Sequence, residues 1–312
     1  MSKNVLLVYP KIPDNTYWSF SHAMSFVGKK ANIPPIGLAT VAAMLPDHYN
    51  VKLVDMNVDS LVDADIKWAD AVFTSSMVVQ QNSLEQVITR ANRLNTTVVA
   101  GGPFPSQYFD LPVMQGIDHF VLGEAESGVL KLFLDDFEQG KAKKTYARVP
   151  IRTRKGEQEI DQQYLEELTE HFRQDDYDIR VATARPDLET SPIPRFDLLN
   201  TKAYTSMAVQ LSRGCPHACD FCDITALFGH KPRLKSSKQI VAELETILNT
   251  GYRGALMIVD DNFIGKKREV KEVLKNIASL QQKNNYPLNL FTEADISLAK
   301  DEELMKLMQD AG

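Results

Sequence analysis

The 312-residue sequence predicts an α/β protein in two parts: a doubly wound parallel sheet, then a short run of βα units. Three observations carry this. Short apolar runs alternate with helical periods between residues 4 and 137. A charged, proline-punctuated stretch follows, at 141–202. After residue 203, new apolar runs end in polar residues and again alternate with helices. The expected division is 1–140, 141–202 and 203–312.

Val5-Leu6-Leu7-Val8-Tyr9 reads as a buried parallel strand, continuous and ended by Pro10. The stretch 36–45 is helix-compatible, with Pro35 near its first turn. Further strands are expected at 51–56, 71–74, 97–100 and 119–122. Between them, Leu84, Val87, Ile88, Ala91 and Leu94 fall at helical spacing, as do Val129, Leu130, Phe133 and Phe137. Ligands of such a sheet sit beyond the carboxyl ends of its strands. That marks Pro10, Ser75, Ser76, Met77, Gly101, Gly102, Gly123 and Glu124, a set rich in small residues. Gly101-Gly102-Pro103 also reads as a plain turn. There is no G-x-G-x-x-G after the first strand, which disfavours a dinucleotide.

In the middle stretch, Lys141, Lys143 and Lys144 read as a solvated basic patch. Residues 162–174 are expected as a surface helix with Leu165, Leu168 and Phe172 on one face. Ser191-Pro192-Ile193-Pro194 reads as an extended linker. Strands are then expected at 207–211, 256–259 and 288–291. Ser236-x-x-Gln239 reads as a capping box opening a helix with Ile240, Val241, Leu244, Ile247 and Leu248 on one face. A second helix carries Val270, Val273, Leu274 and Ile277, and a last one spans about 301–311.

Composition excludes several classes. At 44% hydrophobic and 24% charged, wholesale disorder is ruled out. A net charge of −6 argues against a nucleic-acid binder. No apolar run approaches the ~18 residues of a membrane helix. Met1-Ser2-Lys3-Asn4 runs straight into a strand, with no signal-peptide cleavage site after it. The chain's 3 cysteines sit together at 215, 219 and 222. An odd, clustered set reads as a metal or cluster site of a reducing cytoplasm, not a disulfide framework.

The spacing is C-x3-C-x2-C, directly after a strand and Ser212-Arg213-Gly214. Thiolates are soft ligands for iron–sulfur clusters, zinc or cuprous ion. Three of them hold three irons of a 4Fe–4S cluster and leave the fourth open; a closed cluster takes four. Zinc stays open as a Cys3His alternative through His217. Asp260 and Asp261, at the end of an expected strand, read either as polar site residues or as loop caps, and Glu293 as a site or surface residue.

Cys215-x3-Cys219-x-Phe221-Cys222 resembles the signature of the radical S-adenosylmethionine (SAM) superfamily. Its surroundings, Gln210-Leu211-Ser212-Arg213-Gly214 and Val259-Asp260-Asp261-Asn262-Phe263, resemble the cobalamin-dependent branch of hopanoid-methylase-like proteins. Pro34-Pro35-Ile36-Gly37-Leu38, Val54-Asp55-Met56-Asn57 and Gly123-Glu124-Ala125-Glu126 fall where that branch binds cobalamin. The resemblance implies a Rossmann-like cobalamin-binding domain followed by part of a radical SAM barrel. It implies a 4Fe–4S cluster on Cys215, Cys219 and Cys222, and SAM facing Phe221, Asp260, Asp261, Asn262 and Glu293. It assigns cobalamin to Pro10, Ser75, Ser76, Met77, Gly101, Gly102, Gly123 and Glu124. The D-x-H-x-x-G motif of cobalamin-dependent mutases is absent.

The implied activity is reductive SAM cleavage with methyl transfer to an unactivated carbon of a small-molecule or lipid substrate. The alternatives are radical chemistry other than methylation, or a non-catalytic cobalamin and iron–sulfur binding protein. A reductant such as flavodoxin or ferredoxin is implied, and no nucleic acid. The segment from about 152 to 180 reads as an insertion. Residues 203–312 hold about three βα units at roughly 30 residues each, half of the family barrel. The expectation is a truncated gene product, a split protein or a fragment, a second chain completing the barrel in the split case.

Overall fold

The structure, a computed structural model, describes residues 2–148, 179–182 and 185–312. It divides into two compact units. One comprises Met1–Pro13 with Met44–Pro186; the other comprises Asp14–Ala43 with Asp187–Gly312. The sequence division at 140 and 203 is therefore crossed by an early excursion. After β1 (Asn4–Tyr9) the chain runs through α1 (Ser21–Val27) and α2 (Ile36–Met44), which belong almost wholly to the second unit. Ala31 forms an isolated parallel bridge with Tyr204. Thr205 Oγ1 donates to the Asn32 carbonyl (2.9 Å), and Arg195 N to the Ala39 carbonyl (3.0 Å).

The first unit is a seven-stranded, all-parallel sheet. Its strands are β1, β2 (Asn50–Asp55), β3 (Ala71–Ser75), β4 (Thr97–Gly101), β5 (His119–Leu122), β6 (Thr145–Arg148) and β7 (Ile179–Ala182). Their spatial order is β2-β1-β3-β4-β5-β6-β7. Helices α3 (Asp63–Trp68), α4 (Gln81–Arg93), α5 (Pro103–Tyr108) and α6 (Val129–Glu138) connect them. Leu84, Val87, Ile88 and Ala91 of α4 bury the stripe that the periodicity predicts, against Leu6, Val8, Val72 and Val98. Burial of each large side chain stabilises by about 1.5–3 kcal/mol. On α6, Phe133 meets Phe73 edge-on at 5.8 Å and Tyr146 at 5.4 Å.

Two expectations change here. Gly101-Gly102-Pro103 is more than a turn: Gly101 ends β4, and Pro103 opens α5 at a position where its missing N–H costs nothing. The basic stretch is not simply solvated. Lys144 leads into β6, lies 5.5 Å from the Phe120 ring centre and donates to the Ile117 carbonyl. Burial pulls its pKa down. The insertion at about 152–180, with its helix at 162–174, lies outside the described residues apart from the start of β7.

The second unit carries the expected three βα repeats. β8 (Ser206–Val209) leads into a small hairpin of β9 (Ser212–Arg213) and β10 (Arg233–Leu234), with α7 (Ile224–Phe228) between them. Then come α8 (Ser237–Asn249), β11 (Gly254–Ile258), α9 (Lys267–Lys283), β12 (Leu288–Thr292) and α10 (Glu302–Asp310). The parallel order is β12-β11-β8. The capping box is half formed. Ser236 Oγ accepts from Gln239 N (3.3 Å), but the Gln239 amide donates to the Leu188 and Ser191 carbonyls and so ties down the incoming linker. Among the described residues, no helix is long and apolar enough to cross a membrane.

Candidate functional site

The cysteine loop hangs from the β9–β10 hairpin. Gly214 opens it at φ +97°, a conformation that favours glycine. A Cβ there would lie 2.9 Å from the Gly229 carbonyl oxygen and 3.0 Å from that of Lys231. Cys215 N donates to the Gly229 carbonyl (3.2 Å), and Cys222 N to that of Cys219 (3.1 Å), which makes a tight turn between the last two cysteines. All three thiols are free; Cys219 is exposed, and Cys215 and Cys222 are half-buried. This donor set fits a cluster that takes one thiolate per iron. A single zinc ion needs its ligands to converge. His217, the fourth ligand that zinc would take here, instead engages Asp295 Oδ2 through Nε2 at 3.1 Å.

The acids after β11 divide their labour. Asp260 is buried, and its carboxylate accepts from Leu211 N (2.7 Å) and Ser212 Oγ (2.6 Å). It braces the approach to the cysteines from below. Burial outweighs those bonds and pushes its pKa up to about 6. Asp261 Oδ2 accepts from Gly214 N (3.2 Å), and burial raises its pKa too. Asn262 is buried; its Nδ2 donates to Asp295 Oδ2 (2.8 Å), and its Oδ1 accepts from Asp295 N (3.3 Å). Glu293 is exposed just after β12, where its carbonyl accepts from Phe263 N (3.0 Å). Phe221 is 91% exposed. Of the five residues expected at SAM, Phe221 and Glu293 are open to solvent, while Asp260 and Asn262 are spent on internal bonds.

In the first unit, the strand ends gather the expected small residues. Gly102 has φ +85°, and a Cβ would come 2.1 Å from Ser75 Oγ; one on Gly101 would meet the Val121 carbonyl at 2.8 Å. Thr74, Ser76 and Ser127 hold buried hydroxyls without a hydrogen-bond partner among the described residues. Gly101 and Gly102 are thus required by close packing against Val121 and Ser75, and the orphaned hydroxyls at the same strand ends fit a polar ligand. Gly123 N donates to Ser106 Oγ (2.8 Å), and buried Glu124 lies 3.7 Å from Arg185 Nη1. Sequence reasoning misses the centre of this end, Gln80. Fully buried, it donates to the Pro10 carbonyl and accepts from Met77 N (2.8 Å), joining the ends of β1 and β3. Its neighbours Asp55 and Asn57 fasten the loop after β1. Asn57 Nδ2 donates to Asp55 Oδ1 (2.6 Å), and Asn57 Oδ1 accepts from Ile12 N (2.8 Å).

Residues 29–133 match the B12-binding domain family. The chain is 39% identical to an uncharacterized methyltransferase of Synechocystis sp., over 97% of this chain and 50% of that protein. It is 32% identical to hopanoid C-2 methylase of Rhodopseudomonas palustris, over 99% and 53%. Among solved structures it matches the radical S-adenosylmethionine methyltransferase TsrM from Kitasatospora setae, solved with cobalamin and a 4Fe–4S cluster. That match has a TM-score of 0.67 at 18% identity and covers all of this chain and 57% of that one. The chain spans about half the length of the curated relatives it matches.

The chain thus holds a parallel sheet that matches the B12-binding domain family over residues 29–133, followed by βα units and a C-x3-C-x2-C loop. Along nearly its whole length it is similar to hopanoid C-2 methylase, and its fold is that of the radical SAM methyltransferase TsrM.

Proposed function

We propose that this chain carries the cofactor-binding apparatus of a cobalamin-dependent radical SAM methyltransferase. The observation that carries the reading is the cysteine loop, with three free thiols mounted on strand ends that supply Asp261 and Glu293. When bound, the cofactors supply one-electron carbon–sulfur cleavage of SAM and a methyl group on cobalt.

The protein's own residues hold and orient. Cys215, Cys219 and Cys222 would each hold one iron of a 4Fe–4S cluster. Asp260 and Asp261 fix the backbone leading into the first cysteine by accepting from Leu211, Ser212 and Gly214. Glu293, exposed just after β12, would accept from the cationic or hydroxyl groups of SAM, and Phe221 would offer an exposed ring in the cysteine loop. At the other sheet, the strand ends with Gly101, Gly102, Thr74 and Ser76 would hold cobalamin, a reading supported by the unpartnered Thr74 and Ser76 hydroxyls. The substrate class is a small molecule or lipid with an unactivated carbon. The working environment is a reducing cytoplasm with a one-electron carrier of flavodoxin or ferredoxin type.

The test is anaerobic reconstitution with iron, sulfide and cobalamin, followed by reduction and addition of SAM, with Cys219→Ala as control. The expected result is a bound corrinoid spectrum, iron and sulfide on the chain, and 5′-deoxyadenosine above the control. A chain loaded with both cofactors that yields no more 5′-deoxyadenosine than Cys219→Ala would overturn the catalytic reading.

A further inference from the structure

We propose that His217, Asp295 and Asn262 form a clasp that sets the cysteine loop on the ends of β11 and β12. His217 lies midway between the first two cysteines. Its Nε2 meets Asp295 Oδ2 at 3.1 Å, across 78 residues of sequence. The same oxygen accepts from Asn262 Nδ2 at 2.8 Å, and Asp295 N donates back to Asn262 Oδ1 at 3.3 Å. Asp295 Oδ1 accepts from Ser297 N (2.7 Å), which caps the 3-10 turn Ile296–Lys300. Every carboxylate oxygen of Asp295 is therefore engaged, and its orientation is fixed from three elements.

The hydrogen bond from Ser297, then those from Asn262 and His217, hold the Asp295 carboxyl well below the usual carboxylate range against the opposing effect of burial. An acceptor that stays ionised makes the stronger hydrogen bond. The loop is thus fastened at two points. Gly214 N is held by Asp261 at its start, and His217 by Asp295 near its middle. The segments that hold it are those that present Asp261 and Glu293. Phe263 N donates to the Glu293 carbonyl at 3.0 Å, so the two strand ends are tied to each other. His217, Asp295 and Asn262 are positioning residues: they touch no reacting atom and act through the cysteines.

The clasp rests on this geometry; its consequence for iron loading rests on the proposed function. The first measurement is amide hydrogen exchange on the full metal-free chain. His217→Ala is expected to speed exchange across residues 215–222 by roughly tenfold, the scale of one charge-assisted bond at a half-exposed site. His217→Gln places an amide near the same position and is expected to restore protection. Asp295→Ser keeps an N-cap oxygen for Ser297 but is too short to reach the loop, and should match His217→Ala. The double variant should be no worse than either single one.

Iron uptake during reconstitution should slow in His217→Ala and Asp295→Ser and return in His217→Gln. Unchanged exchange in both single variants overturns the clasp. His217→Gln with normal exchange but iron uptake as poor as His217→Ala overturns the clasp's role in iron loading, because that makes His217 a ligand. If exchange responds as expected and the wild-type chain takes up no iron, the clasp stands and the cluster reading falls.

Discussion

Lys235 and Glu243 meet at 2.5 Å with both side chains sealed from solvent, beneath the hairpin that carries the cysteines. Lys235 directly follows β10, and its N–H donates to the Leu211 carbonyl at 2.8 Å. Glu243 lies on the buried face of α8 beside Ile240, Leu244 and Ile247. Burial drives the Glu243 pKa up, and the lysine opposes it. The pair rivets the hairpin to the helix packed under it.

Breaking that rivet from one side is expected to be expensive. Lys235→Met leaves a buried carboxyl without its counter-charge, which costs about 3–5 kcal/mol. Adding Glu243→Leu removes the orphaned group and should recover most of the loss. Urea unfolding of the two variants checks this; equal stability of the single and double variants would refute it.

Asp260 gives the fold a pH signature. Its carboxyl is raised from 3.8 to about 6 by burial, so the folded chain holds a proton that the unfolded chain has lost. The stability from the neutral form is complete below about pH 4 and is lost as pH rises through 6. The span is about 3 kcal/mol at about 1.36 kcal/mol per unit. Asp260→Asn should flatten this slope. Urea unfolding at several values between pH 4 and 7 reads the difference, and parallel curves would show that the aspartate does not titrate there.

Glycine tests separate the two cofactor regions. Gly102→Ala puts a Cβ 2.1 Å from Ser75 Oγ at φ +85°. Corrinoid affinity, read by visible-spectrum titration, should fall at least ~10-fold, since Ser75 and the strand end must move apart from Gly102 by about 1 Å. Ser75→Ala in the same chain should return part of it, because the clash is relieved while the backbone strain stays.

Gly214→Ala meets carbonyl oxygens rather than a side chain, at 2.9 and 3.0 Å. Backbone does not yield as a side-chain tip does, so the loss should reach about 2–3 kcal/mol. Gly28→Ala is the control: its φ is +65° with nothing within 4 Å of the added carbon, and about 1 kcal/mol is expected. Thermal melts of the two compare strain with and without collision.

What was legible follows from how local each signal is. Of the first five strands, β1, β4 and β5 announce themselves as apolar runs closed by glycine or proline, β2 and β3 by their apolar residues alone, and α4 by its buried stripe. The cysteines are legible because their spacing is itself the chemistry. β6 is not: Thr145-Tyr146-Ala147-Arg148 is short, and fully buried Tyr146 is stabilised by its bond to Asp136 on α6 (2.8 Å). Gln80 reads as an ordinary polar residue at a helix start until the ends of β1 and β3 close around it. Asp260 was found by position at a strand end, but its inward bonds to Leu211 and Ser212 depend on a loop 48 and 49 residues away. The partnership of His217 with Asp295 has no local trace at all.

The excursion of residues 14–43 into the second unit sets a timetable for synthesis. Lys29 bonds the Lys202 carbonyl, and Asn32 bonds Thr205, each 173 residues further along. At about 5–20 residues per second, that early segment waits roughly 10–35 s on the ribosome for its partners. It carries Tyr17, Trp18 and Phe26, which stay more than half exposed even in the folded chain. The first unit has its β1 in hand from the start, while α1 and α2 must be kept from other company until β8 emerges. A nascent chain stalled before residue 200 should therefore hold the faces that folding buries, with Met24, Leu38, Ala39 and Ala42, open to a holding chaperone, and one released past residue 210 should not.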